Sequence, residues 1–81
     1  MSNTDRVAEH VIVAGYGPVG RAVAERLRQC GKDVTIVELN ARTVRGQREI
    51  GHDAIEGDIA DPTVLEAARV DRPAALIITI P

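Results

Sequence analysis

The chain has 81 residues, with 10 Lys plus Arg against 12 Asp plus Glu and a formal net charge of −2, so it is one domain or a piece of one, about half the usual length of ~100–200 residues. The near-neutral charge excludes a nucleic-acid binder that works by displacing counterions, and a hydrophobic content of 44% excludes a disordered chain. A single cysteine, Cys30, excludes an internal disulfide, and His10 and His52 are too few to complete a Cys/His metal cluster with it.

Residues 1–9 have no apolar periodicity and read as a flexible lead-in without a leader-type apolar stretch. His10-Val11-Ile12-Val13-Ala14 is a continuous, β-branched run, which suits a strand buried on both faces of a parallel sheet. From Pro18 to Cys30 the apolar residues Val19, Ala22, Val23, Leu27 and Cys30 recur at helical spacing, with Pro18 in the first turn and Gly31 as the stop. On this pattern Cys30 belongs to the apolar face, as a buried thiol that acts as a small hydrophobe. A second strand covers Asp33 to Leu39, and Asn40 caps a helix running to about Ile50. Asp53 to Glu56 is a short third strand. Asp61-Pro62 opens a third helix to about Val70, Arg72-Pro73 breaks it, and Ala74 to Ile80 is a fourth strand.

Alternating strands and helices with short connections predict a parallel sheet with right-handed crossovers and helices on both faces. No run approaches the ~20 apolar residues of a membrane span, so the chain is expected to be soluble and cytoplasmic. A core with no Phe or Trp and with Tyr16 as its one aromatic must be built from small aliphatics. A chain this short buries only about 60% of the surface its unfolded form exposes. Both points predict a fragment of a longer domain, or a chain that leans on a partner.

Gly15-Tyr16-Gly17-Pro18-Val19-Gly20 carries the chemistry. A bare G-x-G-x-x-G is weak, but here it follows the first strand and opens the first helix. Gly15 serves the tight turn, Gly17 lets a pyrophosphate approach the backbone, and Gly20 lets helix and strand pack closely. The helix N-terminus offers unpaired N–H groups and roughly half a positive charge to the phosphates. The bland alternative is a glycine-rich turn with no ligand.

Glu38 lies 18 residues after Gly20, at the end of the second strand, where a dinucleotide fold sets an acid against the adenosine ribose. A carboxylate there accepts from both ribose hydroxyls and repels a 2′-phosphate, since two unit charges ~4 Å apart at an effective dielectric near 20 cost about 4 kcal/mol. Arg42, one turn on, works against that discrimination, and a solvated strand-end charge is the alternative reading of Glu38. Asp58, after the third strand, either reaches the adenine side of the site or bonds its own backbone. Thr79 and Ile80 end the fourth strand, on the side of the distal half of a dinucleotide. His10 and His52 precede strands, so they sit at the opposite edge, roughly 15 Å from such a site for five-residue strands, too far to act as a general base. No nucleophile has a base partner. The chain reads as half a cofactor site without chemistry, and not as an enzyme.

The stretches V-I-V-A-G-Y-G-P-V-G-R-A-V-A-E-R-L, V-T-I-V-E-L-N, G-H-D-A-I-E-G-D-I-A-D-P-T-V-L-E-A-A and A-A-L-I-I-T-I-P resemble the N-terminal half of RCK domains. These are also called TrkA-N domains and belong to Trk/Ktr/Kef-type regulators of potassium channels and transporters. The resemblance covers residues 10–81, and its most specific part is G-D-x-x-D-P-x-x-L-x-x-A at Gly57 to Ala68. It implies a Rossmann-type fold with strand order 3-2-1-4, truncated relative to a full RCK N-domain. It also implies binding of NAD or NADH, or alternatively AMP, ADP or ATP, without turnover.

Carried over, Gly15, Tyr16, Gly17, Pro18, Val19 and Gly20 would serve the phosphates and Glu38 the ribose. Asp58 and Ile59 would lie near adenine, and Thr79 beside the second half of the ligand. Glu38 stands where the family often has Asp, and Ile59 where it usually has Ala, a bulkier side chain at the adenine pocket. The expected function is regulation of a potassium channel or transporter through ligand-dependent domain pairing, in a homodimer. The alternatives are the cofactor-binding fragment of an NAD-dependent dehydrogenase and a scaffold that dimerises but binds nothing. With order 3-2-1-4 the fourth strand is an edge, which invites pairing with another chain.

Overall fold

The computed structural model describes residues 10–68 and 74–79. The elements are β1 (His10–Ala14), α1 (Pro18–Gln29), β2 (Asp33–Glu38), α2 (Ala41–Glu49), β3 (Asp53–Glu56), α3 (Pro62–Ala67) and β4 (Ala74–Ile78). The four strands form one parallel sheet in the order β3-β2-β1-β4, as the alternation and the resemblance imply. The expected lead-in over residues 1–9, the third helix beyond Ala68, the Arg72-Pro73 break and Ile80 lie outside the described residues.

Every residue of β1 is buried, which is why its side chains read as a continuous apolar run rather than an alternating one. On one face Val11, Val13, Val34 and Ile36 pack with Tyr16, Ala24, Val44 and Ala54, closed by Val23, Leu27 and Ile77. These residues put α1 and α2 over that face. On the other face Ile12 and Val37 pack with Val64 and Ala68 of the α3 segment, flanked by Ile55 and Ile59.

The helix starts follow the local sequence. Pro18 and Pro62 stand in the first turns of their helices, where a missing N–H costs nothing. The Asn40 side chain accepts from Thr43 N at 3.0 Å and caps α2. The Asp61 carboxylate accepts from both the N–H and the hydroxyl of Thr63, and these bonds hold its pKa below the usual carboxylate range.

Two expectations about α1 are corrected. Cys30 is exposed and stands outside the helix as its C-cap, so it is not a buried hydrophobe. Val19 (64% exposed) and Ala22 also face outward. The buried stripe runs through Gly20 and Ala24, with Val23 and Leu27 of the expected set packed beside it. Small residues bring the helix close to the sheet and rotate it away from the orientation that larger apolar residues alone would choose.

At the amino edge of the sheet a polar chain links three neighbouring strands. Thr35 Oγ1 donates to Asp53 Oδ2 at 2.8 Å, and His10 Nε2 lies 2.8 Å from the same hydroxyl. A hydroxyl has one proton, so His10 Nε2 must be the donor in that pair. His52 sits at the same edge, its Nδ1 2.7 Å from Gln47 Oε1. Burial lowers the His52 pKa, and the Arg28 guanidinium lowers it further. Both histidines therefore have structural surroundings, far from the carboxyl ends of the strands.

The tightest contact is at Gly20. A Cβ there would collide with the Gly15 carbonyl oxygen and lie 2.8 Å from Thr79 Oγ1. Gly20→Ala should therefore lower stability by about 1–3 kcal/mol, the usual cost of overpacking, read as a fall in the urea midpoint. Gly46, inside α2, has nothing within 4 Å of its Cβ position. Gly46→Ala should raise stability by roughly 0.5–1 kcal/mol through helix propensity alone; an unchanged or lower midpoint would contradict the open geometry.

Candidate functional site

The carboxyl ends of the strands enclose a cleft of about 280 Å³, near the lower end of ligand clefts at ~300–1,000 Å³. Its walls are the glycine loop over residues 14–19, the end of β2 over residues 37–39, the turn over residues 57–59, and Thr79. Nine of the ten residues singled out from sequence line it: Gly15, Tyr16, Gly17, Pro18, Val19, Glu38, Asp58, Ile59 and Thr79. Gly20 does not line it and works from behind, as the contact that brings α1 up to the loop.

The loop is built as its glycines predict. Gly15 has φ 100°, a conformation that a side chain would strain. Its N–H donates to Val37 O at 2.8 Å, which closes the β1–β2 ladder. Gly17 has nothing within 4 Å of its Cβ position, so the backbone there is open to an incoming group. Among the described residues the N–H groups of Gly17, Val19 and Gly20 make no hydrogen bond, Pro18 has none to offer, and the first helical bond is Arg21 N to Gly17 O. These three donors converge at the head of α1, on the positive end of its dipole.

Tyr16 has a different place from its neighbours. The residue is 7% exposed and its side chain packs into the core under α1 and α2, with the Arg21 guanidinium 5.6 Å from the ring centroid. Its N–H donates to Glu38 Oε1 at 2.8 Å. The second Glu38 oxygen accepts from Asn40 N, also at 2.8 Å. The carboxylate is thus half-buried and turned into the cleft.

Thr79 is tied to the loop, its hydroxyl donating to Gly15 O at 2.9 Å and its N–H to Ala14 O at 2.8 Å. It pegs the end of β4 to the glycine turn. Asp58 Oδ1 accepts from Ala60 N at 2.9 Å, so the carboxylate organises its own turn at the cleft margin. Ile59 lines the cleft while packing against the cluster under α3. Leu39, 66% exposed, also lines the cleft, and the sequence reading passed over it. The available signal was a large apolar residue directly after the ribose-side acid. Val37 and Gly57 complete the wall. Among the described residues no group of three or more His, Cys, Asp or Glu is placed to hold a metal ion, and no helix is long and apolar enough to cross a membrane.

An aliphatic-walled cleft with free N–H donors at the head of α1 and a fixed carboxylate beside the glycine loop suits a phosphate-bearing ligand with a hydroxylated sugar. Comparison with known proteins identifies the family. The crystal structure of the TrkA-N domain of the inner membrane protein ybaL from Escherichia coli superposes with a TM-score of 0.84 at 30% identity, covering 94% of this chain and 56% of that one. The Trk system potassium uptake protein TrkA homolog of Pyrococcus abyssi is 39% identical over 62 residues, 75% of this chain and 27% of that protein. Potassium channel protein 1 of Methanocaldococcus jannaschii is 23% identical over 82 residues, 99% of this chain and 25% of that protein. The chain thus spans about a quarter of these curated relatives. The TrkA-N domain family model matches residues 11–81, nearly the whole length, and with the sheet order and glycine loop in agreement, this chain belongs to the TrkA-N domain family.

Proposed function

We propose that this domain binds an adenine nucleotide with an unmodified ribose, NAD or NADH first and AMP, ADP or ATP as alternatives. In this reading, occupancy regulates a membrane potassium or other cation transporter or channel from its cytoplasmic side. The observation that carries the reading is the Glu38 carboxylate, held beside the glycine loop in a cleft that Gly17 and Val19, with free N–H groups, also line. The donors suit phosphate and the carboxylate suits ribose hydroxyls. The aliphatic wall of Val37, Leu39 and Ile59 suits an adenine ring. Thr79, on the cleft wall, lies on the side expected for the second half of a dinucleotide.

The same site supports sensing rather than turnover. A hydride-transfer enzyme needs a proton-moving group near the nicotinamide, and both histidines are engaged at the far edge of the sheet. The potassium uptake protein and potassium channel protein among the relatives favour the transport role. Ligand-dependent pairing of two copies of the domain is part of the same reading.

A thermal-shift panel of NAD⁺, NADH, AMP, ADP, ATP and NADP tests the reading. At 100 times its dissociation constant a ligand adds about 2.7 kcal/mol, a rise on the order of 10 °C for a domain this small. At least one unphosphorylated-ribose nucleotide should give that rise, NADP should bind at least about tenfold more weakly, and Glu38→Ala should abolish the preference. No shift with any of the six would overturn nucleotide binding.

A further inference from the structure

Glu38 has more to do than meet a sugar. The β1–β2 ladder ends at the bond from Gly15 N to Val37 O. One residue further the two chains diverge, as Tyr16 enters the glycine loop and Glu38 leads toward α2. At that point the Glu38 side chain takes over the pairing. Its Oε1 accepts the Tyr16 N–H and its Oε2 the Asn40 N–H, both at 2.8 Å. One carboxylate joins the turn after β1 to the turn before α2, across 22 residues of sequence. We propose that Glu38 is a positioning residue that braces the glycine loop in the nucleotide-free protein, so that the cleft is preformed before any ligand arrives.

The chemistry of the side chain fits this task. Two N–H donors approach from different sides and need two acceptor oxygens. A carboxylate has two, whereas a glutamine amide has one and presents a donor in place of the other. Length matters as well. The Asn40 bond is local, to a residue two positions on, and an aspartate makes that contact readily. The Tyr16 bond crosses to another strand, and a side chain one methylene shorter falls short of it.

The brace also sorts the loop's donors. Tyr16 N–H is held by Glu38 and Gly15 N–H by Val37, which leaves the N–H groups of Gly17 and Val19 free on the cleft wall and that of Gly20 free behind them. Each Glu38 oxygen keeps a second lone pair, so bracing and ribose binding coexist. The purpose of the brace rests on the nucleotide reading above, but its presence is tested without any nucleotide.

The experiment is amide hydrogen exchange followed by NMR on the ligand-free chain, with Glu38→Asp and Glu38→Gln beside the wild type. In the wild type the Tyr16 N–H should be protected although it lies in a loop. In Glu38→Asp its exchange should accelerate roughly 10- to 100-fold, the scale of one hydrogen bond to a charged acceptor, while Gly15 and Asn40 stay within about threefold. Glu38→Gln, with one acceptor for two donors, should release Tyr16, Asn40 or both. An unprotected Tyr16 N–H in the nucleotide-free wild type overturns the brace, and that measurement needs no variant to fold. Unchanged Tyr16 exchange in folded Glu38→Asp overturns it too. A protected, Glu38-dependent Tyr16 in a protein that binds no nucleotide would sink the ligand reading and leave the brace standing.

Discussion

The site depends on how closely the head of α1 approaches the ends of β1 and β4. Gly20 lies against the Gly15 carbonyl and the Thr79 hydroxyl with no room for a Cβ. That contact seats the helix N-terminus directly over the strand ends. A helix displaced by even a methyl group would carry its free N–H groups away from the cleft, and electrostatic attraction for an anion falls off within the first turn. Sterics at one residue therefore set the electrostatics of the loop, and Thr79 draws the fourth strand into the same junction.

The two edges of the sheet divide the work. At the amino edge a chain of hydrogen bonds runs from His10 through Thr35 to Asp53 across adjacent strands, and His52 is held by Gln47. Buried polar groups of this kind tie the sheet together when each donor has an acceptor. At the carboxyl edge the polar groups are arranged differently, with three backbone donors left open and a carboxylate aimed inward. Open ligand-binding valences at the carboxyl ends are what a parallel α/β sheet concentrates there.

Much of this was legible in the sequence because it is locally encoded. The Gly15 and Gly20 spacing, the Asn40 and Asp61-Pro62 helix starts, and the β-branched first strand each follow from a few neighbouring residues. Parallel pairing follows from alternation and handed crossovers, and the order 3-2-1-4 from the resemblance to the family. What escaped was tertiary. The apolar spacing of Val19, Ala22 and Cys30 suggested a buried stripe that the structure places outside, because Gly20 and Ala24 decide which side of α1 meets the sheet. The bond from Tyr16 to Glu38 joins residues that no local pattern pairs. Leu39 was overlooked because an apolar residue at a strand end reads as core until the cleft beside it is known.

The packing of Tyr16 has a practical consequence. It is the one aromatic side chain in the chain, and it is anchored in the core while its own backbone forms the glycine turn. Near-ultraviolet absorption, circular dichroism and intrinsic emission of this domain therefore arise from a single chromophore inside the loop that matters. Spectra that in most proteins average over many rings here report on one bend of the backbone, without any label.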